Sequence, residues 1–360
     1  MQATEKIDIK SLTYEELESF VVNTLGEPKF RAKQLYEWMH VHLASDFEEM
    51  SNIPKKLKEK LISNCDYVSL KQIDRQISQI DGTRKYLFEL GDGQMVESVW
   101  MSYKHGNSVC ISSQVGCKMG CRFCASTLDG WLRNLTASEM LDQIYRISRD
   151  TGERVSNLVV MGTGEPLDNY DNLIRFIRLL SDERGLNISQ RNITVSTCGL
   201  VPKIKQLAEE DLAITLAISL HASNQDKRLS LMPIAKSYDI HEVVDATRYY
   251  FDKTGRRITF EYSLVAGVND SDEDAQELGM LIGDINCHVN LIPVNPIKER
   301  DYTAPSTDRA YAFQKKIEKY IKNVTIRREM GRDIDGACGQ LRKRHSDAKK
   351  GESNEEFCID

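Results

Sequence analysis

From about residue 107 onward the chain repeats one pattern, a short β-branched run followed by an amphipathic helical segment. The runs fall at 108–112, 157–161, 193–197, 213–220, 257–264 and 288–292, with 324–328 a seventh candidate. Helical periodicity fills 137–149, 173–180, 241–253 and 272–281, and Thr136 with Glu139 reads as a capping box. Strands that alternate with helices must run parallel, and right-handed crossovers arrange them as an open α/β sheet or a barrel.

The first hundred residues read differently. Segments 12–24, 30–42 and 53–62 have a helical pattern, punctuated by Pro28 and Pro54. Two strand candidates follow at 67–76 and 84–90, separated by the turn at Asp81-Gly82. The expected organisation is a small, mainly helical accessory domain over 1–95, an α/β domain over 96–341 and a polar tail over 342–360. A chain of 360 residues, 41% hydrophobic, can bury cores of that size. It contains no run of about 18 apolar residues, so no membrane helix is expected. The N-terminal MQATEKIDIK lacks the apolar stretch of a secretory signal, and a cytoplasmic protein is expected.

The net charge of −6 argues against a uniformly basic surface, yet basic residues cluster locally. Lys55, Lys56, Lys58 and Lys60 form one group, Arg327, Arg328 and Arg332 a second, and Arg342, Lys343, Arg344, Lys349 and Lys350 a third. Taken singly, each reads as a solvated face.

Nine cysteines are many for a cytosolic chain, where structural disulfides are rare. Three of them crowd into Cys117-Lys-Met-Gly-Cys121-Arg-Phe-Cys124, directly after a strand candidate. Gly116 and Gly120 allow the loop to fold back so that the thiolates converge. Three thiolates on a four-iron cluster leave one iron open, able to chelate the amino and carboxylate groups of S-adenosylmethionine and pass an electron to its sulfonium. A zinc site would recruit a fourth Cys or His, and a ferredoxin run would have two-residue gaps and a fourth Cys; neither pattern is present.

Ligands of parallel α/β barrels gather at the C-terminal ends of the strands. There the sequence has Gly162-Thr-Gly164-Glu165-Pro166, Ser196-Thr197-Cys198-Gly199, Ser219-Leu220-His221 and Pro293-Val294-Asn295-Pro296. Glu165 suits the cofactor's ammonium group. Ser196, Ser219 and Asn295 suit its carboxylate and ribose.

On these motifs the chain resembles the RlmN group of radical methyltransferases, which methylate C2 of adenosine in 23S ribosomal RNA and in transfer RNA. The resemblance runs from Gly26-Glu-Pro-Lys-Phe-Arg-Ala-Lys-Gln34 through Cys110-Ile-Ser-Ser-Gln-Val-Gly-Cys117 and Val160-Met-Gly-Thr-Gly-Glu-Pro166. It continues through Ala217-Ile-Ser-Leu-His-Ala222 and Asn290-Leu-Ile-Pro-Val-Asn-Pro296 to Asp333-Ile-Asp-Gly-Ala-Cys-Gly-Gln-Leu341. Thr163 and Gly336 depart from the family pattern, which has a bulkier apolar residue and Ala at those places.

The resemblance implies a partial (β/α)6 barrel of the radical SAM type. It places a 4Fe-4S cluster on Cys117, Cys121 and Cys124, and S-adenosylmethionine against Gly164, Glu165, Ser196, Ser219, Leu220, His221 and Asn295. Cys338 corresponds to the methyl carrier, Cys110 to the cysteine that resolves the product, and Glu97 to the proton acceptor; a bland reading of Glu97 is an exposed strand residue. Cys65, Cys287 and Cys358 match nothing catalytic.

The implied chemistry uses two S-adenosylmethionine molecules per turnover. One methylates the Cys338 thiolate. The other yields a 5′-deoxyadenosyl radical that takes a hydrogen from the S-methyl group, so that the methylene carbon adds to C2. Loss of the C2 proton and attack of Cys110 on the Cys338 sulfur then release the RNA and leave a disulfide. The resemblance also implies an electron-donor protein such as flavodoxin or ferredoxin, and a monomer. The target base must leave its stack, and Lys29, Arg31 and Lys33 of the small domain, with the later lysines, are the expected RNA platform. Three rival readings are a Cfr-type enzyme acting on C8 of the same ribosomal adenosine, a non-catalytic metal-bound RNA-binding protein, and a radical enzyme acting on a peptide, which has no use for Cys110 and Cys338 as a pair.

Overall fold

The computed structural model describes residues 6–104, 106–335 and 339–345. Gly336, Cys338, Lys349, Lys350 and Cys358 lie outside the described residues.

The first unit comprises α1 (Tyr14–Ser19), α2 (Phe30–His40) and α3 (Lys55–Asn64), with the short parallel pair β1 (Ile7–Asp8) and β2 (Cys65–Asp66). Thr13 and Glu16 close a capping box at the start of α1. The helix expected over 12–24 is thus two pieces, because the chain widens into a π turn over Phe20–Thr24 before Gly26 ends it at φ 63°.

Three antiparallel strands follow, β3 (Lys71–Ile77), β4 (Arg84–Glu89) and β5 (Met95–Tyr103). Next come β6 (Gly106–Cys110) and a small hairpin of β7 (Gln114–Gly116) and β8 (Trp131–Asn134). Then strands and helices alternate: α4 (Ala137–Thr151), β9 (Val155–Val160), α5 (Tyr170–Ser181), β10 (Ile193–Thr197), α6 (Val201–Ala208) and β11 (Thr215–Ser219). The series ends with α7 (Gln225–Leu231), α8 (Ile240–Thr254), β12 (Ile258–Leu264), α9 (Asp272–Ile282), β13 (Cys287–Pro293), α10 (Thr307–Ile317) and β14 (Val324–Ile326).

One sheet collects ten of these strands in the order β14-β13-β12-β11-β10-β9-β6-β5-β4-β3. From β6 through β14 every neighbour is parallel, so six strands and their crossovers form the partial barrel and β14 adds a seventh. β5 turns back against β6, and β4 and β3 continue antiparallel. The sheet therefore runs across residue 95, where a domain boundary was expected. The reason is β5, which the sequence hid: its core-side and solvent-side positions are both largely buried, so it shows no polar–apolar alternation. Helices α6 and α10 were also not anticipated. The first is short and opens on Pro202, and the second follows a long irregular stretch after β13.

Leu17, Leu35, Met39, Leu57 and Leu61 carry the first unit into the main apolar core against α4 and α5. A buried ion pair joins Lys10 to Asp142 at 2.5 Å, and Asp142 also accepts from the Leu70 amide at 2.7 Å. His40 Nδ1 meets the Tyr145 hydroxyl at 2.7 Å.

Candidate active site

The cysteine loop leaves β7 at Gly116, whose φ of +75° belongs to glycine. A Cβ there would lie 2.0 Å from the Gly130 carbonyl oxygen. The Cys117 amide donates to that same oxygen at 2.9 Å, and the Arg122 amide donates to Leu231 at 2.9 Å, fixing the loop to β8 and α7. Cys117, Cys121 and Cys124 line a cavity of about 1000 Å³ at the C-terminal ends of the parallel strands. Burial, together with the negative field of the neighbouring thiols, pushes Cys117 up to about 12 and Cys121 well above its ordinary value. Such thiols become thiolates when a strongly cationic metal group takes them. Among the described residues no three His, Cys, Asp or Glu side chains converge on a point suited to one ion. Zinc would need its sulfurs at about 2.3 Å from a common centre, whereas a cubane binds each thiolate to a separate iron. The three cysteines fit the cluster.

Around the same cavity stand Gly164, Glu165, Ser196, Ser219, His221 and Asn295. Gly164, at φ +112°, packs so closely that a Cβ would approach Gln114 Cβ to 2.6 Å. Glu165 is buried; its carboxylate accepts from the Cys198 amide at 2.8 Å and the Leu167 amide at 3.0 Å, while burial raises its pKa. Ser196 and Ser219 share a 3.2 Å hydrogen bond between their hydroxyls. His221 has a positive φ of 57°, and its Nδ1 accepts from the Ser263 amide at 2.9 Å. Burial lowers the His221 pKa to about 3, so the ring is neutral, and its face-to-edge packing on Phe123 ties it to the cysteine loop. Leu220 is fully buried beneath this rim rather than on the cavity wall; its amide donates to Glu261 at 3.1 Å.

Cys110 ends β6 on the cavity wall, opposite Val99 of β5. Cys338 lies outside the described residues, but both flanks of its segment are held. Glu97 is buried, not an exposed strand residue. One carboxylate oxygen accepts from the Gly339 amide and the other from the Arg342 amide, both at 2.6 Å. Lys85 Nζ sits 3.0 Å from the same carboxylate and donates to the Asp335 carbonyl at 2.5 Å.

Three further groups escaped the sequence reading. Glu261 lines the cavity, takes a 2.9 Å hydrogen bond from Asn290 and is raised in pKa by burial. Its signal was available: a lone carboxylate in the otherwise apolar run of β12. Arg228 is fully buried and donates to the Cys198 and Tyr238 carbonyls, both at 2.8 Å. Lys85 stood among other charged residues and gave no signal.

The expected RNA platform is mostly compensated. Lys29 pairs with Glu18 at 2.9 Å, Lys33 approaches Glu37 at 3.9 Å, and Arg31 bonds Gln34 at 2.7 Å. Arg327 and Arg328 are exposed on the cavity rim, with no ion pair shown among the described residues.

A three-cysteine loop at the mouth of a partial parallel barrel belongs with the radical SAM enzymes, and residues 111–279 match the Radical SAM superfamily. Residues 7–66 match the ribosomal RNA large subunit methyltransferase N-terminal domain. A probable dual-specificity RNA methyltransferase RlmN of Lachnospira eligens is 65% identical over 94% of this chain and 96% of its own. Its counterpart in Alkaliphilus oremlandii is 54% identical over 95% of this chain and 99% of its own. The crystal structure of a radical SAM methyltransferase from Sphaerobacter thermophilus superposes with a TM-score of 0.89 at 43% identity, covering 93% of this chain and 98% of that one. The chain belongs to the RlmN family.

Proposed function

We propose that the protein methylates C2 of an adenosine in both 23S ribosomal RNA and transfer RNA, with Cys338 as methyl carrier and Cys110 as resolving thiol. The observation that carries this reading is the placement of Cys110 on the cavity wall, one strand away from Glu97, which with its ion-pair partner Lys85 holds the residues on both flanks of the Cys338 segment. A non-catalytic metal protein has no use for that arrangement.

A 4Fe-4S cluster on Cys117, Cys121 and Cys124 would supply one electron to the sulfonium of S-adenosylmethionine held at its open iron. Gly164 leaves room for the cofactor's close approach, Glu165 faces its ammonium, and Ser196, Ser219, His221 and Asn295 orient the rest. Leu220 acts through its backbone. Cys338 takes a methyl group by displacement at a first S-adenosylmethionine, which departs as S-adenosylhomocysteine. Once the methylene bridge to the base exists, the Cys110 thiolate attacks the Cys338 sulfur: the S–S bond forms, the S–CH2 bond breaks, and the base keeps the carbon, which takes a proton to become the methyl group. The adduct's unpaired electron leaves to a one-electron acceptor, a role the cluster would serve when bound. The C2 proton passes to a base at the site, the role the resemblance gives Glu97, and the disulfide takes two electrons from a thiol reductant before the next turnover. A small flavodoxin- or ferredoxin-like donor and a cytoplasmic monomer complete the proposal. RNA reaches the cavity across Arg327 and Arg328, with the exposed Lys55 and Lys56 of the helical unit as outer contacts.

The test separates the two thiols. Cys110→Ala retains carrier methylation and addition to the base but lacks the attacking thiolate, so it stays covalently attached to RNA; Cys338→Ala never becomes attached. Denaturing electrophoresis before and after nuclease treatment should show a nuclease-sensitive shift in the first variant alone. Free protein in both variants would end the carrier-and-resolver scheme. Mass spectrometry of the digested nucleosides distinguishes C2 from C8 product.

A further inference from the structure

We infer that Lys85 is a positioning residue: through Glu97 and the Asp335 carbonyl it ties Asp335, Gly339 and Arg342, the described residues on either side of the carrier cysteine, to β4 and β5, and so governs how readily that cysteine is methylated. This rests on the reading of Cys338 as methyl carrier.

The side chain of Lys85 is fully buried on β4. Its ammonium reaches forward to the Asp335 carbonyl, before the segment, at 2.5 Å. It also pairs with Glu97 at 3.0 Å, and Glu97 receives the amides of Gly339 and Arg342, after the segment, at 2.6 Å each. One ion pair therefore joins Asp335 to Gly339 and Arg342. Glu97 shares a strand face with Val99 and Met101, because alternate residues of a strand point the same way, and those two line the cavity. Val99 is the ladder partner of Cys110. The clamp thus stands one step along the same strand face from the resolving thiol.

The remaining contacts agree. Gln76 exchanges two 2.9 Å hydrogen bonds with Asp335, Ser78 donates to Asp333 at 2.6 Å, and the Gly331 amide donates to Asp81 at 2.9 Å. Strands β3 to β5 are a seat for the C-terminal segment, and Lys85 reaches one side of it directly at Asp335 and the other through Glu97. A lysine is suited to this: its three N–H groups serve a carbonyl and a carboxylate together.

The experiment uses the full-length holoenzyme and three variants, Lys85→Met, Lys85→Arg and the double variant Lys85→Met/Glu97→Gln, in which no unpaired carboxylate remains. Hydrogen exchange followed by mass spectrometry reads peptides over 339–345 independently of turnover. Charged hydrogen bonds of this kind correspond to roughly 10- to 100-fold in a local opening equilibrium. Exchange there should rise by about that factor in Lys85→Met and in the double variant, with β10 to β12 unchanged, and Lys85→Arg should restore most of the protection. The second readout is methyl incorporation on the Cys338 peptide, which should slow in step, while cluster absorbance stays at the parental level. Unchanged exchange over 339–345 in both methionine variants overturns the clamp. Unmethylated Cys338 in the parental enzyme, with the exchange pattern as expected, overturns the carrier reading instead and leaves the clamp standing.

Discussion

Two regions are fastened to the barrel by opposite means. The helical unit, residues 6–66, is held mainly by apolar burial, and its leucines belong to the main core. The C-terminal segment, 331–335 and 339–345, is held mainly by polar contacts: carboxylates of Asp74, Asp81 and Glu97 on one side, Asp333 and Asp335 on the other. Leu341 is fully buried but lies outside the main core cluster. Apolar burial is additive, non-directional and slow to come apart. A polar seat is directional: it fixes position while costing less to open, because each released group regains water. The first arrangement suits a brace. The second suits a segment that must present one atom accurately and then admit a nucleic acid.

The largest test of this contrast is at the fully buried ion pair inside the brace. Lys10→Met leaves Asp142 buried with only Arg146 and the Leu70 amide for company. Thermal or denaturant unfolding should show a loss of about 3–5 kcal/mol. A loss below about 1 kcal/mol would mean the brace does not depend on its buried charges.

Acid should separate the regions next. His40 is buried beside Lys10, and its folded pKa is lowered to about 3 from an ordinary 6.5. The unfolded chain therefore binds a proton that the folded brace refuses. Its contribution is fully present above about pH 6.5 and is lost as pH falls toward 3, at up to about 1.4 kcal/mol per pH unit. From pH 6.5 to pH 5 the brace should lose about 2 kcal/mol, and His40→Gln should flatten that slope by one proton. In the polar seat Asp81 is instead held down to about 2, and Asp74 is lowered beside His345, so their stabilisation persists until pH falls below the ordinary carboxylate range. Hydrogen exchange at pH 5 should find the brace loosened before the seat; the reverse order would contradict this assignment.

A smaller effect concerns RNA. Each phosphate contact contributes about 0.7–0.9 to the log–log dependence of affinity on salt. Arg327→Glu with Arg328→Glu should lower that slope by about 1.5, and Lys29→Glu with Lys33→Glu by less than half as much, because those lysines already face carboxylates. Equal slopes would move the RNA contact back to the helical unit. The smallest effect is Asp333→Ala, which removes the exposed bonds to Ser78 and the Gln79 amide. Global unfolding should stay within error while exchange at residues 331–335 rises about five-fold.

The barrel was legible because its strands are β-branched runs and most of the segments between them carry helical periodicity; the capping box at Thr136 forms as read. The cysteine loop was legible because its chemistry is compressed into eight residues. What stayed hidden depends on pairings between distant residues. β5 lacks alternation because both faces are covered, and Lys85 acquires meaning only beside Glu97 and Asp335. Glu97 itself was singled out by likeness, and nothing in its own stretch, where Ser98 and Ser102 also stand, marked it as buried. The helical unit's lysines looked available for RNA because their glutamate partners, Glu18 and Glu37, cannot be assigned from composition.

The span between Glu97 and the amide it accepts is 242 residues. At ribosomal speeds of about 5–20 residues per second, Gly339 emerges roughly 10–50 s after the strand that receives it. The Gly130 and Leu231 carbonyls that hold the cysteine loop are translated well before then, whereas Arg342 and Lys343, which pair with Asp129 of the same loop, come after. For that interval the nascent barrel has its metal-binding loop in place and its β5 wall uncovered. Order of synthesis alone therefore gives the cysteine loop a period of open access before Arg342 and Lys343 pair with Asp129.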